Sequence, residues 1–128
     1  MENLAIDAAV EIAADSTRVW DEVATSAGLS GWFVPAEVTP GPAGSVRLVF
    51  GPGLEASMPV QVWEPQRRFR FGAALGEPGR SHDFFLAEVA GGCVVRLIDS
   101  GVPEEELAPT RVGWHNFLSA LKSRSERA

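Results

Sequence analysis

His82 and Asp99, with Arg96 and Arg111, are the residues of this chain whose chemistry matters most. An imidazole, a carboxylate and a guanidinium gathered in one cavity can move a proton or hold a ligand's carboxylate. His82 and Asp99 fall on neighbouring strands of an expected hairpin, where they can hydrogen-bond if they face the same way. No nucleophile is matched to them, so the pair alone is weak ground for catalysis. The two histidines, His82 and His115, have no second donor at metal-ligand spacing, and a satisfied or solvated imidazole is the simpler reading of each. Cys93 is the single cysteine, has no CxxC partner, and reads as a strand residue kept reduced. Glu104, Glu105 and Glu106 read as a solvated first helical turn rather than a metal box. Arg67, Arg68 and Arg70 around Phe69 read as an exposed sheet face or a protected edge. There is no P-loop, GxGxxG or HExxH motif, so neither nucleotide-dependent chemistry nor zinc hydrolysis has support, and no metal or cofactor is expected.

The elements that must position these residues belong to a chain of 128 residues, which is expected to form a single domain over 1–128. Its 45% apolar and 22% charged content is ordinary for a globular protein. No stretch approaches the roughly 18 apolar residues of a spanning helix. The acidic start, Met1-Glu2-Asn3-Leu4, is unlike a secretory signal, and a cytoplasmic location is expected. A net charge of −6 disfavours nucleic acid as a partner.

From Leu4 to Ile12 the even positions are apolar, which predicts a half-buried strand. Asp15 or Ser16 caps a short helix carrying Val19, Trp20 and Val23 that stops before Gly28, and a second helical turn spans Leu29 to Phe33. A meander follows. Ser45 to Phe50 places Val46, Leu48 and Phe50 on one face, and Met58 to Glu64 comes after a Gly51-Pro52-Gly53 loop. Glu64-Pro65-Gln66 turns the chain into Arg68 to Gly72, where Arg68 and Arg70 face water and Phe69 and Phe71 the core. After a turn at Glu77-Pro78-Gly79, strands 82–89 and 93–100 form a hairpin around Gly91-Gly92. A two-residue turn sets Phe84 and Leu86 on one face with Val95, Leu97 and Asp99, whereas a one-residue slip would substitute Phe85, Val89, Val94 and Ile98. Turn-length preference favours the first register. A turn at Pro103–Leu107 then leads into a long helix from near Pro109 to about Arg124. Its expected apolar stripe is Val112, Trp114, Phe117, Leu118 and Leu121, and Lys122, Arg124 and Arg127 complement its negative end. The order is β, two short helices, a six-strand meander, and one long helix.

That order, with AADSTRVWDEV (13–23), GLSGWFVP (28–35), VWEPQRRFRF (62–71), GGCVVRLIDSG (91–101) and VGWHNFLSALK (112–122), resembles the START-like (SRPBCC) superfamily. Within it the chain is most similar to the branch of the activator of the heat-shock-protein-90 ATPase. The resemblance implies an α+β helix-grip fold: a curved antiparallel sheet of about six or seven strands wrapped around a long C-terminal helix, with two short helices after the first strand. The chain departs from the usual pattern in the short link between Phe71 and Ser81 and in Cys93, where the family commonly shows Thr.

The resemblance implies a pocket between sheet and helix but no fixed chemistry, so function must come from the lining. The expected lining is Trp32, Phe33, Phe50, Phe69, Phe71, His82, Phe84, Asp99, Arg111, Trp114, Phe117 and Leu118. Each aromatic alone is more simply a core residue; as a set they favour an apolar or aromatic small molecule. The leading expectation is therefore a hydrophobic-ligand-binding domain, monomeric or homodimeric. The second is a protein-interaction domain like a chaperone activator, tied to stress response, which would dock through the 28–35 helix or the 51–58 loop. The third, a cyclase-like or hydrolase-like enzyme, requires His82, Asp99 and Arg111 to meet in the cavity.

Overall fold

The first strand, β1 (Leu4–Ile12), alternates as its composition demands: Ile6 and Ile12 are buried while Asp7 and Glu11 are exposed. These positions come from a computed structural model that describes residues 4–127. Helix α1 (Ser16–Val23) is capped by Asp15, whose carboxylate accepts the Arg18 backbone N–H at 2.8 Å. Helix α2 (Ser26–Trp32) starts three residues before the expected turn, because the Thr25 hydroxyl accepts the Gly28 N–H at 3.0 Å. Gly28 thus lies inside a helix rather than ahead of one. A Cβ there would stand 2.4 Å from the Asp21 carbonyl oxygen, so α1 and α2 pack closely only with glycine.

The chain then runs through β2 (Ala36–Thr39), β3 (Ser45–Gly51), β4 (Leu54–Glu64), β5 (Arg68–Gly72), β6 (Ser81–Val89) and β7 (Gly92–Val102). They form one seven-stranded antiparallel sheet of order β1-β7-β6-β5-β4-β3-β2. The six-strand meander after the short helices is as expected, although β2, at four residues, is too short to show a period. Strand β4 begins at Leu54, so the expected 51–58 loop is instead a hairpin with β3 around Pro52-Gly53, where Gly53 has φ 73°. Phe50 is the extra residue of a bulge between Val49 and Gly51 and is 52% exposed, so it leaves the buried face of Val46 and Leu48.

In the β6–β7 hairpin Val89 pairs with Gly92, which makes Ala90-Gly91 the turn, one residue before the expected pair. Phe84 opposes Leu97, Leu86 opposes Val95 and His82 opposes Asp99, the register that turn length favours. On the outer face Arg68 and Arg70 both bind Asp83, at 2.8 and 3.1 Å. Arg70 is buried rather than wet, because its remaining donors go to the Ala73 carbonyl. Arg96 pairs with Asp7 on the same exposed face and does not enter the interior. Cys93 is buried at the start of β7.

A 3-10 turn (Glu104–Glu106) precedes helix α3 (Leu107–Ser125), which begins two residues before Pro109 because proline is tolerated in a first helical turn. Trp114, Leu118 and Leu121 are buried as expected, but Val112 is 61% exposed. Two residues are about 200° of helix, so Val112 cannot share Trp114's face. Buried Glu22 of α1 accepts from Arg124 at 2.7 Å and Arg18 at 3.2 Å, tying α1 to α3. Phe69, Phe71, Phe84 and Leu97 fill the space between sheet and helices, each stabilising by about 2–3 kcal/mol relative to exposure.

Candidate ligand cavity between sheet and helix

Strand register places Val60, Phe71, His82, Asp99 and Ile6 in one row across β4, β5, β6, β7 and β1. His82 and Asp99 are therefore neighbours on the buried face. Asp99 has no exposed surface, and an ionised carboxylate in such a place costs several kcal/mol unless it is well paired. It receives three donors. Arg80 reaches from the end of the 73–80 loop with Nε at 2.6 Å from Oδ1 and Nη2 at 2.8 Å from Oδ2. The Trp114 indole N–H donates to Oδ2 at 2.7 Å. The bond to Asp99 raises the Arg80 pKa against the effect of burial.

The expected His82–Asp99 hydrogen bond is not made: Nε2 stands 3.8 Å from Oδ1, beyond bonding distance, because Arg80 and Trp114 hold the carboxylate. The His82 ring stacks on Phe71 at 5.0 Å and 18°, and Nδ1 is buried without a partner. Burial pushes the His82 pKa down to about 4; the pull of Asp99 opposes this and the charge of Arg80 adds to it. At neutral pH the ring is uncharged.

In front of this group lies a cavity of about 420 Å³. Helix α3 and the turn before it contribute Glu106, Thr110, Gly113, Trp114 and Phe117. The sheet supplies Phe50, Met58 and His82, and the connecting loops supply Phe33 and Arg80. Phe33 stacks on Trp114 at 5.0 Å and meets Phe117 edge-on at 4.9 Å, so three aromatic rings from two elements form one wall. Among the described residues no cluster of His, Cys, Asp and Glu could hold a metal ion.

Of the expected lining, Phe33, Phe50, His82, Trp114 and Phe117 reach the cavity. Phe69, Phe71 and Phe84 are fully buried behind it, and Asp99 supports Arg80 and Trp114 from beneath. Trp32 is held away, its indole N–H donating to the Glu22 carbonyl at 2.7 Å. Arg111 and Leu118 lie on the helix face toward β1, in a separate groove of about 360 Å³ with exposed His115. Positions 111, 115 and 118 share one face and 106, 110, 113 and 117 another, so Arg111 does not meet His82 and Asp99. Thr110 and Gly113 were findable by extending the Phe117 face backward along the helix, whereas Glu106 sits in the 3-10 turn ahead of it. Arg80, in an irregular loop, and Met58, on a strand, carried no such signal.

No family model matches the chain, and no curated protein sequence matches it. Solved structures do. Protein MLL2253 from Mesorhizobium loti superposes with a TM-score of 0.81 at 16% identity, over 94% of this chain and 95% of that one. The Aha1 dimer from Colwellia psychrerythraea gives a TM-score of 0.79 at 22% identity, covering 96% of each chain. DynU16, a protein of the dynemicin biosynthetic locus, gives 0.75 at 24% identity over 93% of this chain and 46% of its own. At such identities the likeness speaks for architecture alone: a seven-stranded curved antiparallel sheet gripping a long C-terminal helix, the helix-grip fold.

Proposed function

We propose that the chain is a single small-molecule-binding domain that holds an apolar or aromatic ligand between the sheet and α3. The observation that carries this reading is the cavity of about 420 Å³, within the usual range for ligand pockets, with aromatic walls and a buried polar end. The cyclase-like or hydrolase-like alternative loses its residues, since Arg111 lies on another helix face and His82 makes no bond to Asp99. Native mass spectrometry of the purified protein, followed by extraction, tests the binding reading: a stoichiometric small molecule supports it. A high-resolution structure with the cavity filled by side chains, and no binding of apolar fluorescent probes, would overturn it.

A second reading is favoured by the β3–β4 hairpin, where Phe50 and Leu54 are 52% and 63% exposed. Together with the likeness to the Aha1 dimer, this supports docking on a protein partner or a second copy, as in the chaperone-activator branch. Leu54→Ser, on this hairpin but outside the cavity lining, separates the readings: loss of a stoichiometric protein complex with probe binding retained supports docking. Among the described residues no helix is long and apolar enough to cross a membrane.

A further inference from the structure

We propose, resting on the cavity-binding reading above, that the cavity selects an aromatic ligand bearing a neutral hydroxyl, and that His82 is the residue that hydrogen-bonds it. His82 is the one cavity-lining side chain that is both almost wholly buried and without a hydrogen-bond partner among the described residues. Its Nδ1 is sealed off without a partner, and its Nε2, 3.8 Å from the nearest carboxylate oxygen, makes no hydrogen bond either, although buried polar atoms are nearly always satisfied, so Nε2 is the atom an occupant of the cavity would pair. A wholly apolar occupant would leave that imidazole unpaired in a drier site.

The charges around the ring decide what kind of polar group fits. Two of Arg80's donors form a fork on Asp99, so that pair offers little net charge to an anion, and Glu106 in the lining repels one. A cation would find an acceptor in the imidazole but no free countercharge at the buried end, since Asp99 is taken by Arg80 and Trp114 and Glu106 lies at the exposed rim. A hydroxyl both donates and accepts, so it satisfies the ring in either tautomer. The stacked Phe33 and Trp114 beside edge-on Phe117 match a flat aromatic body. A phenol-class ligand meets both requirements at once.

The test uses the full chain at pH 7 with two neutral probes, 2-naphthol and naphthalene, titrated by calorimetry. The expected result is about tenfold tighter binding of 2-naphthol, the size of one net hydrogen bond, although it is the less hydrophobic probe. In His82→Phe, which keeps a ring over Phe71, the preference should fall to within about twofold. If that variant fails to fold, the imidazole ¹⁵N shifts of His82 in the wild type decide: they should move with 2-naphthol and stay put with naphthalene. Equal or tighter binding of naphthalene, a preference that survives in His82→Phe, or unmoved ¹⁵N shifts would each overturn the assignment of His82 while leaving the cavity reading intact. Binding of neither probe would overturn the cavity reading and this one with it.

Discussion

Trp114 joins the packing of α3 to the pairing of Asp99, and two substitutions separate its contributions. Replacing a fully packed large aromatic by alanine costs about 3–5 kcal/mol. One side of this indole borders the cavity, which places the packing loss near the low end, about 3 kcal/mol. The substitution also removes one of three donors to a carboxylate with no exposed surface, and such bonds contribute about 1.5–3 kcal/mol. The two losses do not add fully, because water entering the enlarged cavity can replace the donor, so Trp114→Ala should cost about 4 kcal/mol in all. Trp114→Phe keeps a ring against Phe33 and Phe117 but has no N–H, and should cost about 2 kcal/mol. Urea denaturation followed by far-ultraviolet circular dichroism at pH 7 measures both. A loss below about 1 kcal/mol for the alanine variant would refute the buried placement of the indole. Equal losses for the two variants would refute the division between packing and hydrogen bond.

Because the His82 pKa lies near 4 in the folded chain against 6.5 for the free group, the unfolded chain binds the extra proton first as pH falls. Stability is full above pH 6.5 and should decline by about 3 kcal/mol toward pH 4, a limb absent from His82→Gln; parallel stability curves for the two proteins would refute this. Gly28→Ala should destabilise by about 2 kcal/mol, since its methyl meets backbone at 2.4 Å, and should weaken probe binding by shifting Phe33 at the end of α2. Gly113→Ala, where the nearest atom is 3.9 Å away, should be neutral or stabilising in thermal melts while narrowing the cavity. Cys93 is buried and its thiol pKa is raised by that burial, so a thiol reagent should leave the native chain unlabelled and titrate one group per chain in urea.

Local rules carried the reading of this chain wherever one element's own geometry decides the outcome. The alternation of β1, the shared face of Phe84, Leu86, Val95 and Leu97, and the spacing of Trp114, Leu118 and Leu121 are all legible because strand and helix periods are properties of the backbone. The ordered motifs likewise made the helix-grip architecture legible. Even the misplacement of Val112 is a matter of counting about 100° per residue along one helix. What no local rule contains is which groups compete for a shared partner. His82 and Asp99 are neighbours by register, yet Asp99 is taken by Arg80 from a loop and by Trp114 from a distant helix, and this leaves the imidazole unpaired. Which face of α3 meets the cavity and which meets β1 also depends on where the helix docks, and that separates Thr110 and Phe117 from Arg111 and Leu118. The sequence by itself determined the order of the helices and of the longer strands. Tertiary packing alone decided the cavity and its polar end, because burial and competition for hydrogen bonds exist only once distant segments share the same space.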